Sequence, residues 1–170
     1  MRLTSFVLVA SIAFAACSSV EPLRPVGFDL TGRWRLDPSQ SDAAPARDRE
    51  EDFLERGRRM LPFRPTDFPL LVAEELVIEQ DQQSMGIEYT GVTYRDVSFG
   101  ERKWSGWEIT AGWNEGGELE VRMKRGPVRY QENYVLAPGG NRLLIRAVVD
   151  TQRGERTIAR VFDRVSDVPR

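Results

Sequence analysis

Hydrophobic positions in this chain recur mostly at every second residue. In 118–124, Leu119, Val121 and Met123 alternate with Glu118, Glu120, Arg122 and Lys124, the spacing of a strand with one buried face. Trp34 and Leu36 alternate with Arg33 and Arg35, and Met85, Ile87 and Tyr89 alternate with Gly86 and Glu88. Trp107, Ile109, Ala111 and Trp113 form another such row, and Val128, Tyr130, Tyr134 and Leu136 share a face through 128–136. Segments 70–80, 92–98, 142–150 and 156–165 read as further strands, which gives about eight to nine in all. The breaks at 81–83, 99–100, 114–117, 125–127, 138–141 and 151–155 are short and rich in turn residues. Short turns join antiparallel neighbours. A long meander leaves two bare edges unless it closes on itself. The pattern therefore predicts an all-β, mainly antiparallel fold, a small up-and-down meander barrel.

One segment keeps a different rhythm. Residues 47–61, RDREEDFLERGRRML, place Asp48 as a cap with Glu51 three residues on, acids early and arginines late, and a short apolar stripe of Phe53, Leu54, Met60 and Leu61. Pro62 ends it. This predicts one short amphipathic helix after the first strand, covering an end or a side of the barrel.

The N-terminus carries no fold signal. Met1-Arg2 is a short basic start, and residues 3–16, LTSFVLVASIAFAA, are uncharged and mostly apolar. That is too short for a membrane span, which needs about 20 apolar residues, and has the form of a secretory signal peptide. Phe14-Ala15-Ala16-Cys17 resembles the lipobox of bacterial lipoproteins, with Phe in place of the usual Leu. The resemblance implies cleavage before Cys17, attachment of diacylglycerol to its thiol, and acylation, typically with palmitate, of the new N-terminus. Ser18 after the cysteine implies sorting to the outer membrane of a Gram-negative envelope. Two or more chains hold a protein stably in a bilayer. The expected layout is a signal peptide over 1–16, a lipidated tether over 17–28 with two prolines, and one barrel domain over 29–170.

Composition narrows the chemistry. The 170 residues include no histidine and one cysteine, Cys17. Histidine-based triads and metal sites are thereby excluded, as are an intramolecular disulfide and a CxxC site. A net charge of -2 does not fit a nucleic-acid binder, which carries a basic stripe. No calcium loop, phosphate-binding glycine loop or GxSxG elbow occurs. Glu74 and Glu75 are adjacent on a strand and point to opposite faces, so they cannot act as one carboxylate pair. The expectation is a protein that is not an enzyme, has no cofactor and is a monomer.

The first strand opens Thr31-Gly32-Arg33-Trp34, and the last ends Val161-Phe162-Asp163-Arg164-Val165. A Gly-x-Trp on the first strand and an Arg on the last are similar to the signature of the calycins and lipocalins. That likeness implies a barrel closed at one end by Trp34 packed under Arg164, and a small apolar or amphipathic ligand held inside. The helix at 47–61 departs from the usual lipocalin, whose long helix follows the barrel.

The candidate ligand wall is Met85, Ile87, Tyr89, Trp107, Ile109, Trp113, Leu119, Val121, Tyr130, Glu132 and Tyr134. The same side chains suit a solid barrel core, because small barrels are often filled with side chains. Glu132 stands on an apolar face between Tyr130 and Tyr134. Such an acid recognises a ligand, does general acid–base work, pairs with an inward arginine such as Arg160 or Arg164, or is lifted out by a bulge. Trp104 falls near a turn and is expected at a barrel mouth. Three functions follow: a lipid-anchored binding protein with a hollow barrel, a structural lipoprotein with a solid core that works through its outer face, and, behind these two, an enzyme using Glu132 with tyrosine and arginine groups.

Overall fold

The computed structural model describes residues 20–44, 68–152 and 154–168. The lipidation candidate Cys17 and the expected helix at 47–61 lie outside the described residues. Ten strands form: β1 (Gly32–Leu36), β2 (Glu75–Gln80), β3 (Ser84–Tyr89), β4 (Thr93–Ser98), β5 (Gly100–Trp104), β6 (Trp107–Trp113), β7 (Leu119–Arg125), β8 (Val128–Leu136), β9 (Arg142–Thr151) and β10 (Gly154–Ser166). The helical element among the described residues is a single 3-10 turn, Pro69–Leu71.

All strands belong to one antiparallel sheet in the order β4-β3-β2-β1-β10-β9-β8-β7-β6-β5. Pairing of β1 with β10 joins the two ends of the chain and curls the sheet into a nearly closed barrel. Closure is not complete. β4 and β5 are consecutive in sequence, yet they are the two end strands of the sheet. Arg102 of β5 spans this seam by donating to the carbonyl oxygen of Asp96 on β4 and pairing with its carboxylate at 3.7 Å.

Two expectations need correction. The strand count is ten, because Gly100–Trp104 is a strand of its own. Its sequence, GERKW, presents no apolar row, since an end strand beside a seam buries little. The strand expected over 70–80 begins only at Glu75. Pro69 instead starts a 3-10 turn whose Pro69 and Leu70 are buried.

The barrel ends are closed by chain segments rather than by strands. At one end, residues 20–31 cross below the sheet. Glu21 exchanges two backbone hydrogen bonds of 2.8 Å with Trp113, and Phe28 and Phe99 meet the Trp113 ring edge-on at 5.8 and 4.6 Å. This crossing requires a glycine at position 112, where a β-carbon would fall 2.5 Å from the Glu21 carbonyl oxygen. Trp34 donates its indole N–H to Leu30 O at 2.8 Å. The Arg164 guanidinium lies 4.2 Å above its ring centroid and donates to Gly140 O and Asp29 O at 2.7 and 2.9 Å. Gly32 precedes this pair with φ +140° and has no space for a β-carbon beside Ser166 O. The Gly-x-Trp spacing therefore has a steric cause here.

At the opposite end the connection between β1 and β2 enters the barrel. Arg160, inward on β10 and buried, donates to Asp42 O at 3.1 Å and to Ala73 O at 2.7 Å. One guanidinium thus holds both ends of that connection, and burial lowers its pKa. Phe68 packs on Tyr130 with ring centroids 4.2 Å apart and edge-on to Trp107 at 5.9 Å.

Candidate functional site: a polar cluster inside the barrel

Period 2 on β8 sends Tyr130, Glu132 and Tyr134 to one face. The pairing Val121↔Glu132↔Ala147 is regular through β7, β8 and β9, so no bulge lifts the acid out. Glu132 is 0 % exposed. Its partner is Arg95 of β4, not Arg160 or Arg164, both of which serve backbone carbonyls. Arg95 stands opposite the inward Ile87 of β3 and therefore points into the barrel, toward the wall formed by β8.

Arg95 Nη1 donates to Glu132 Oε1 at 3.1 Å, and Nη2 donates to Oε2 and to the Tyr134 hydroxyl at 3.0 Å. The Tyr130 hydroxyl donates to Oε1 at 2.6 Å and the Tyr134 hydroxyl to Oε2 at 2.7 Å. Each carboxylate oxygen accepts two bonds, so the acceptor capacity of Glu132 is filled. Arg95 also lies 5.5 Å from the Tyr89 ring centroid. Burial raises the pKa of Tyr89, Tyr130 and Tyr134, and the Glu132 charge raises each further. Burial is the largest single influence on Arg95 and would lower its pKa, but Glu132, Tyr89 and Tyr134 together outweigh it and hold the guanidinium above its ordinary value.

These contacts fix what the cluster can do. An acid whose lone pairs all accept bonds is not placed to take a proton from a substrate. The pair instead ties end strand β4 to the far wall, at the price of two buried charges. Two polar atoms of the cluster are buried with no hydrogen bond of regular geometry among the described residues, the Tyr89 hydroxyl and Arg95 Nε.

The remaining wall candidates Met85, Ile87, Trp107, Ile109, Trp113, Leu119 and Val121 are likewise brought together around the interior. None of the eleven candidates, Glu132 and the tyrosines included, is more than 5 % exposed. In this state the interior is filled. Trp104 is 63 % exposed at the end of β5, on the same end of the barrel as Phe68. A surface concavity of about 410 Å³ lies outside the barrel, lined mostly by outward side chains of β6–β10 such as Thr110, Arg122, Gln131, Val148 and Glu155.

The sequence reading missed Arg95. Thr93–Ser98 carries apolar and charged residues in mixed order, and only the hairpin register Tyr89↔Thr93 sets which face Arg95 takes. Val97, two residues on and buried, is the signal that would have found it.

No protein-family model matches the chain, and no curated protein matches it. Solved structures do. Zebrafish ileal bile acid-binding protein, in complex with cholic acid, is 15% identical, with 79% of this chain and 98% of that one aligned at a TM-score of 0.47. A structure described as the REP1-NXSQ fatty acid transporter is 16% identical, with 80% and 96% aligned at a TM-score of 0.48.

Proposed function

We propose that the protein is a lipid-anchored, non-catalytic binding module of the cell envelope that takes a small apolar or amphipathic molecule into its barrel. One observation carries this reading. The mouth is filled by Phe68, which belongs to the connection between β1 and β2 and not to the sheet. The ring lies against Tyr130 and edge-on to Trp107, outside the strand ladders, so moving it breaks no pairing between strands. The wall behind it is apolar with one compact polar group, the usual make-up of a small-molecule pocket.

Anchoring through Cys17 would also set an orientation. Glu21 is fastened to Trp113, and four residues of chain reach at most about 14 Å. The end closed by Trp34 and Trp113 would then face the bilayer, here assigned to the Gram-negative outer membrane. The Phe68 end would open away from it.

A second reading is favoured by the full burial of the wall candidates: a solid barrel that works through its outer face. Nile red, a neutral apolar dye, separates the two. Ligand binding predicts a blue-shifted dye emission with the wild-type protein and a several-fold tighter Kd for Phe68→Ala, since the dye no longer competes with the ring. A solid barrel predicts no dye response in either, and only lost stability in the variant.

A further inference from the structure

The geometry of the inner cluster points to an uncharged head group: we infer that the barrel takes an apolar molecule ending in a neutral oxygen, an alcohol, ester or ketone, in preference to an anion. This inference rests on the binding function proposed above. Arg95 is the cation of the cluster and Glu132 its anion, bound to each other through both guanidinium terminal nitrogens. The carboxylate accepts all the bonds it can, two of them from tyrosines. A carboxylate ligand arriving here would place a second negative charge beside one already balanced cation, in a buried site around Glu132 where charges are poorly screened.

The cluster has spare capacity of another kind. Arg95 Nε–H and the Tyr89 O–H are buried, and both lack a hydrogen bond of regular geometry. Tyr89 lies against Arg95, and its hydroxyl is within reach of Arg95 and Tyr134, so the two groups belong to one neighbourhood. Buried donors normally find partners. A neutral acceptor oxygen supplies one without adding charge. The path leads from the mouth, since Phe68 stacks on Tyr130 and the Tyr130 hydroxyl binds Glu132. A chain that replaces Phe68 brings its head group to the cluster while its apolar body lies along Trp107 and Val121.

The test compares 1-decanol with decanoate as competitors of Nile red at pH 8, where decanoate is ionised, on the purified wild-type protein. Decanol is expected to displace the dye at a concentration at least tenfold lower than decanoate. Tyr89→Phe should weaken decanol several-fold without loss of melting temperature. A tyrosine with a purely structural role would not move the affinity in this way. Glu132→Gln, which frees the Arg95 charge, should narrow or reverse the preference. Equal or tighter binding of decanoate by the wild-type protein overturns the neutral-head inference and leaves ligand binding standing. A dye that never binds, to wild type or to Phe68→Ala, overturns the binding function and this inference with it.

Discussion

Arg164 lies over the face of Trp34, joining the last strand to the first at the point where the barrel closes. The guanidinium caps the indole from one side. It donates to the carbonyls of Asp29, Thr31 and Gly140, which tie the segment leading into β1 and the turn between β8 and β9 to the last strand. Removing it loses a desolvated cation–π contact and several charge-assisted hydrogen bonds at once. Arg164→Ala should cost about 2–4 kcal/mol in urea unfolding. Arg164→Lys should recover only part of this, because an ammonium cannot both stack flat and reach three carbonyls. A loss below about 0.5 kcal/mol would show that the closure is held elsewhere.

The buried pair inside the barrel should behave as a unit. Glu132→Gln alone strands the Arg95 charge, and Arg95→Met alone strands the carboxylate. Each should destabilise by about 3–5 kcal/mol. The double variant should cost much less than the two together. Chemical denaturation of the four proteins measures the coupling, and simple additivity would mean that the pair does not tie β4 to the opposite wall.

The same cluster sets the alkaline limit. Tyr89, Tyr130 and Tyr134 have pKa values raised in the folded state, so below about pH 10 both folded and unfolded forms keep their phenolic protons. Above that, the unfolded chain releases protons that the folded chain retains, and stability falls. Three such groups give a slope of up to about 4 kcal/mol per pH unit. Absorbance at 295 nm should show these tyrosines ionising together with unfolding. Their ionisation in a protein that still gives its native circular dichroism would contradict the buried cluster.

Much of this fold can be read from alternation alone. Nine of the strands follow a visible pattern of apolar and polar positions or a run between turns. The contact of Trp34 with Arg164 is what the likeness to the calycin signature implies, and alternation alone does not give it. What could not be read has physical causes. β5 has no apolar row because it borders the seam. Pairing is a property of the sheet, so nothing in the residues between Ser98 and Gly100 says that β4 and β5 part. Glu132 stands out in sequence as an acid among aromatic residues. Arg95, its partner, does not, because its inward direction is fixed by the register with β3 and not by its neighbours. Phe68 follows Asp67 in a stretch with no period, and only the fold brings it to Tyr130.

Membrane attachment is tested by fractionation. Cys17→Ser should abolish acylation and remove the protein from the membrane fraction. A serine variant that is still processed and still sediments with outer membrane would end the lipobox reading, while the barrel and its interior would be unaffected.

The most direct measurement is a crystal structure of the protein grown with saturating 1-decanol. Binding inside the barrel predicts the decyl chain between Trp107, Val121 and Tyr130, its hydroxyl beside Tyr89 and Arg95, and the Phe68 ring moved off Tyr130. An interior unchanged at saturation, with Phe68 still 4.2 Å from Tyr130, would contradict it and leave a barrel whose core is solid.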